Sequence, residues 1–177
     1  MRKLGSCLVL MLGLMSACSV SGLTDGYKNL SVAEKAVVSY SSKSTATGAT
    51  LVNMVHGRQL REALPEGKVN VVYYFNPFCS SPSCIPISSV RATLSEEHNL
   101  YIVARSLNTS VLLLAKNYKI YGIDKYYYSK KFLYAYEDKF FDELTGRKTS
   151  HTDTLMLYVF RGKEFSHLSD LAGLASL

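Results

Sequence analysis

Residues 69–86 read Val-Asn-Val-Val-Tyr-Tyr-Phe-Asn-Pro-Phe-Cys-Ser-Ser-Pro-Ser-Cys-Ile-Pro, and no other stretch limits the fold and chemistry of the chain as tightly. Residues 69–75 are rich in β-branched and aromatic side chains and have the length of a buried strand. The run ends in a Pro- and Ser-rich turn that carries Cys79 and Cys84. Beyond it, Ile87, Val90 and Leu94 recur at helical spacing while Ser88, Arg91 and Glu97 fall on other faces, which predicts a helix running toward Asn99. Two thiols are therefore expected where a strand hands over to a helix.

That placement bears on reactivity. The first N–H groups of a helix lack intrahelical partners and carry partial positive charge, which favours a nearby thiolate. Pro86 restricts where the helix can begin, because proline is tolerated only in the first turn. Two starts are open. With Ser83 as N-cap, Cys84 is the first helical residue; with Ile85 pushed extended by the following proline, the helix starts at Pro86 and Cys84 lies just outside. In both, Cys84 is nearer the helix end than Cys79.

The order of hydrophobic strand, aromatic residue, cysteine, short turn, cysteine and helix resembles the thioredoxin-like superfamily over residues 51–165, with Phe78-Cys79 where that family has its aromatic–cysteine pair. The resemblance implies an α/β fold, a three-layer α/β/α sandwich around a central mixed sheet, with thiol–disulfide exchange at Cys79 and Cys84. Four residues separate the two cysteines, against the family's usual two, so a bond between them requires Cα atoms about 4.4–6.8 Å apart. Cys79 takes the attacking role by order in the chain and Cys84 by proximity to the helix end. Residues 154–160, with the turn Arg161-Gly162-Lys163 and Glu164-Phe165 beyond it, look like the family's late strand pair. Where the family places a cis-proline, this chain has His151-Thr152-Asp153. No carboxylate lies in the strand ahead of Cys79, which leaves Asp153 or His151 as a proton acceptor.

The start of the chain reads as an address. Met1-Arg2-Lys3 is basic, residues 4–14 are apolar but too short to span a bilayer, and small residues Ser16 and Ala17 precede Cys18. Leu14-Met15-Ser16-Ala17-Cys18 resembles the lipobox of bacterial lipoproteins, with Met15 where Leu is usual. The resemblance implies a signal peptide over 1–17, a lipidated Cys18, attachment to membrane lipid, and a cell-envelope location that is periplasm-facing or surface-exposed. Cys7 would leave with the signal and Cys18 would carry lipid, so Cys79 and Cys84 would be each other's only intrachain partner. Outside the cytoplasmic membrane their expected resting state is a disulfide. Residues 18–49 are expected to be a tether, holding a short helix near 29–41 with Ser31 as N-cap and Glu34 three residues on, then a polar linker. The thioredoxin-like domain is expected over 50–177.

Within that domain, a strand at 51–55 and a helix at 57–64 are expected ahead of the Pro65-Glu66-Gly67 break, and the strand at 69–75, the cysteine helix and a strand at 100–104 predict a parallel βαβ unit. Residues 110–118, 137–144 and 168–177 read as helices. Seven tyrosines fall among lysines between Tyr118 and Tyr136; they are expected to cover a hydrophobic flank that the lysines solubilise. Nucleic acid is not expected as a partner, since no Lys/Arg run exceeds two residues and the formal charge of +6 falls to +4 once Arg2 and Lys3 are removed.

Two further readings compete with thiol–disulfide exchange on protein thiols or disulfides. Cys84-Ile85-Pro86 with His151-Thr152 and Tyr158 resembles Sco-type copper-delivery relatives of thioredoxin, which implies copper held by Cys79, Cys84 and His151, a donor set suited to it by softness. Alternatively the fold serves binding alone and the Cys79–Cys84 bond is a staple. His56, His98 and His167 form no spaced metal cluster and read as surface residues, and no cofactor is expected.

Overall fold

In the computed structural model, which describes residues 24–43, 49–81, 84–130, 132–148 and 157–177, seven strands form one mixed sheet. They are β1 (Val38–Tyr40), β2 (Val52–Val55), β3 (Val69–Phe75), β4 (Asn99–Ala104), β5 (Ile120–Ile123), β6 (Leu157–Arg161) and β7 (Glu164–Ser169), in spatial order β1-β2-β5-β4-β3-β6-β7. The first five in that order are parallel; β6 runs antiparallel to β3, and β7 to β6. The helices are α1 (Val32–Ala36), α2 (Gly57–Glu62), α3 (Ile87–Thr93), α4 (Thr109–Leu114), α5 (Lys125–Tyr128), α6 (Tyr134–Thr145) and α7 (Leu171–Leu174).

The two-residue period of the strands sorts their side chains between two cores. Val71 and Tyr73 of β3, with Ile102 of β4 and Val159 of β6, face Ile87, Val90 and Leu94 of the α3 segment, Val111 and Leu112 of α4, and Leu174 of α7. Val72, Val103 and Phe160 face the other way, onto Leu60 of α2 and Phe140, Phe141 and Leu144 of α6. Helices cover both faces, giving three layers. The middle of β3 is buried on both sides, which is why it reads as an unbroken apolar run instead of an alternating one. Each fully buried Val or Leu here contributes about 1.5–3 kcal/mol.

The expected βαβ unit forms: β3, α3 and β4 follow one another, and β3 and β4 pair in parallel from Asn70/Asn99 to Phe75/Ala104. A second parallel unit, β4-α4-β5, was not anticipated. Its strand β5 lies inside the tyrosine-rich stretch and all four of its residues are buried. Helix α2 crosses α6 closely because residue 57 is glycine; a Cβ there would run into the Phe140 carbonyl.

Residues 24–43 correct the expectation of a tether. The capping box forms as read, with the Ser31 hydroxyl accepting from the Glu34 N–H and the Glu34 carboxylate accepting from the Ser31 N–H. Beyond α1, however, the chain enters the sheet as β1, paired with β2. Leu30, Val38 and Tyr40 join the core, and Asp25 is buried, accepting from Tyr40 Oη at 3.0 Å and Lys125 Nζ at 2.7 Å. A division at 49/50 therefore cuts through one packed body. Residues 1–23 and 149–156, and with them Cys7, Cys18, His151 and Asp153, lie outside the described residues.

Candidate functional site at the end of strand β3

Strand β3 stops at Phe75, where Asn76-Pro77 cannot continue a ladder. Asn76 builds the turn that follows: its side chain accepts from the Phe78 N–H at 3.1 Å and its carbonyl from the Cys79 N–H at 3.2 Å. Five residues on, the Ser81 carbonyl accepts from the Cys84 N–H at 2.9 Å. Asn-Pro-Phe-Cys and Ser-Pro-Ser-Cys thus share one pattern, with Asn or Ser at the first position, Pro at the second and Cys at the fourth, as expected of a β-turn. Each cysteine closes an i to i+3 hydrogen bond.

The two cysteines form a disulfide with Cα atoms 6.0 Å apart, inside the range the four-residue spacing required. Both are half-buried. They border a cleft of about 290 Å³ that is also lined by Tyr73, Phe75, Ile85 and Pro86. Tyr73 Oη donates to the Ile85 carbonyl at 2.5 Å, fixing the segment after Cys84 to the strand before Cys79. Burial raises the Tyr73 phenol pKa, so it remains a donor.

The helix start corrects both registers considered above. Pro86, at φ −64° and ψ 142°, is the N-cap and Ile87 the first helical residue; the Pro86 carbonyl accepts from the Ser89 and Val90 N–H groups. Cys84 lies two residues ahead of the cap of a seven-residue helix. Neither cysteine therefore belongs to the first turn of α3.

Sequence reasoning missed the charged cluster on the opposite face of the same strand end. Glu137 of α6 is 5% exposed and accepts hydrogen bonds from Tyr74 Oη and, at 2.9 Å, from Arg105 Nε. The Arg105 N–H is in turn bonded to the Phe75 carbonyl at 2.8 Å. Burial, reinforced by the Glu137 charge, pushes the Tyr74 phenol far up, so it stays a donor. For Arg105 burial works against the charge, but Glu137 outweighs it and raises the guanidinium pKa. This cluster braces the end of β3 from behind. Only its separations of 32 and 63 residues hid it, since each residue alone is unremarkable in sequence.

Among the described histidines, His56 caps α2 by accepting from the Gln59 N–H and stacks on Tyr127 at 4.1 Å. His167 is exposed beside Ser166, and His98 is half-buried. Among the described residues no three His, Cys, Asp or Glu side chains converge on a metal position, and no helix is long and apolar enough to cross a membrane. No protein-family model matches the chain, and no curated protein or solved structure matches it either.

Proposed function

We propose that the chain is an extracytoplasmic, membrane-anchored thiol–disulfide oxidoreductase of the thioredoxin-like kind, acting through Cys79 and Cys84 and attached to lipid through Cys18. The observation that carries this reading is the Cys79–Cys84 bond itself, half-buried at a cleft where a parallel strand ends. Open α/β sheets present their ligands outside the carboxyl ends of such strands. A bond closing so short a loop is also poorly placed as a staple, because the chain entropy it removes is small.

In the reducing direction, a thiolate of the reduced pair attacks one sulfur of a substrate disulfide. The substrate S–S bond breaks, its other sulfur leaves as a thiolate and takes up a proton, and a mixed disulfide remains. The second cysteine, as thiolate, attacks the chain's own sulfur in that mixed disulfide, expelling the second substrate thiolate and reforming the Cys79–Cys84 bond. Two electrons pass to the substrate; the reverse sequence oxidises a substrate dithiol. Cys79 is the attacking residue, because it sits between Phe78, 47% exposed, and exposed Ser80. Cys84 resolves, since Ile85 beside it is tied to Tyr73.

The reduction potential of the pair tests the reading: exchange activity requires a value above about −300 mV, and a lower one makes the bond structural. Trapping separates the roles. Cys84→Ser should accumulate mixed disulfides with disulfide-bearing proteins and Cys79→Ser should not, whereas equal inertness of both variants would leave only a staple.

A further inference from the structure

Two buried aspartates fasten residues 24–43 against α5. Asp25 holds Lys125, and Asp124, the N-cap of α5, accepts from the Ser41 hydroxyl at 3.0 Å and the Ser42 N–H at 2.9 Å. Between them opens a cleft of about 510 Å³, lined by Lys28, Lys43, Lys125, Lys130, Tyr126 and Thr24 among others. Lys125 is neutralised by Asp25. Lys28, Lys43 and Lys130 are exposed, and among the described residues none has a carboxylate partner. The Lys43 ammonium rests over the Tyr126 ring at 3.8 Å.

Tyr126, which lines the cleft, opens a stretch of chain rich in exposed aromatic side chains. Four of the eight exposed large hydrophobic side chains among the described residues fall within 126–134: Tyr126, Tyr127, Phe132 and Tyr134, the last 61% exposed. Aromatic rings with a wet edge settle at the headgroup level of a bilayer, and lysines beside them are drawn to anionic lipid. The described residues begin at the same cleft. Thr24 lines it, and the six residues from Cys18 to Thr24 span at most about 20 Å when fully extended.

We propose that this lysine–tyrosine face seats on an anionic phospholipid surface, fixing the orientation of the domain on its membrane. The choice of lipid over another polyanion rests on the lipidated Cys18 of the proposed function, which keeps the bilayer within reach. Strands β5 and β3 are parallel with β4 between them, so α5 and the cysteine turn leave the sheet at one end, about 10 Å apart across it. Seating the lysine face therefore brings the disulfide to the membrane-proximal end, and its substrates are thiols and disulfides of proteins close to the bilayer.

The test uses the full chain carrying Cys18→Ser, which removes acylation, and Tyr126→Trp, which supplies a single fluorophore because the chain has no tryptophan. Phosphatidylcholine vesicles with and without phosphatidylglycerol are titrated, and blue shift and quenching by brominated lipid are read. Binding should require phosphatidylglycerol and weaken with added salt. Adding Lys28→Gln, Lys43→Gln and Lys130→Gln together should reduce partitioning about a hundredfold, since each lysine near an anionic surface contributes about fivefold. Arg2, Lys3 and apolar residues 4–14 are common to both chains, so the difference isolates the cleft. Equal partitioning into both vesicle types, no effect of the three substitutions, or affinity for a single-stranded oligonucleotide without affinity for vesicles would each overturn the proposal. An unacylated mature chain, read by mass, would remove the anchor reading alone, because the titration uses no acyl chain.

Discussion

Reducing the Cys79–Cys84 bond should cost the fold little, and the amount follows from the loop it closes. The cysteines are five positions apart, and the chain-entropy relation for so short a loop gives about 2 kcal/mol. Most of what orders the loop does not depend on the bond. The Cys79 and Cys84 N–H groups are held by the Asn76 and Ser81 carbonyls, Tyr73 holds Ile85, and Ile87 and Val90 of α3 are buried in the core. Native structure should therefore persist after reduction, with the full effect at or below about 2 kcal/mol, or at most roughly 4–8 °C in Tm for a chain of this size. The assay is urea unfolding of the full chain with and without reductant, beside the Cys79→Ser/Cys84→Ser double variant. A loss above about 4 kcal/mol, or unfolding on reduction, would mean that the bond supports the fold as a staple and would refute the reasoning for a reversible redox pair.

Two further perturbations test the packing that positions the site. Asp25→Ala should destabilise the chain by about 3–5 kcal/mol, because it leaves the Lys125 ammonium, whose side chain is 13% exposed, without its partner. Urea unfolding reads this, and a loss below about 1 kcal/mol would return residues 24–43 to the status of a tether. Raising the pH should leave Tyr40, Tyr74, Tyr128 and Tyr136 un-ionised through the ordinary tyrosine range near 10, since burial raises all four phenol pKa values. The unfolded chain loses these protons first, so the stability they confer is complete below that range and declines as pH climbs above it. Ultraviolet titration should show a late ionisation coincident with unfolding, and a single early step for all tyrosines would contradict the burial.

Much of the local structure was legible because its causes are local. Strand β3, the Ser31 and Asn108 caps, the αL glycine Gly146 that ends α6, and the β6-β7 hairpin around Gly162 each follow from a few adjacent residues. Strands β1 and β5 were not legible: three and four residues are too few to display a period, and their neighbours β2 and β4 identify them only by pairing. The helix start at Ile87 was decided by Pro86, whose extended conformation makes it the cap instead of the first helical residue.

By itself, then, the sequence determined an α/β chain with a central buried strand, two cysteines at its end and a basic, tyrosine-rich flank, since composition and short-range spacing specify such features. The tertiary structure alone decided that the two cysteine Cα atoms stand within bonding range, that residues 24–43 complete the sheet, and that Asp25 meets Lys125 across 100 positions while Glu137 meets Arg105 across 32. The physical reason is that a buried charge or an edge strand has no preference of its own to announce. Its free energy depends on which distant group removes it from water.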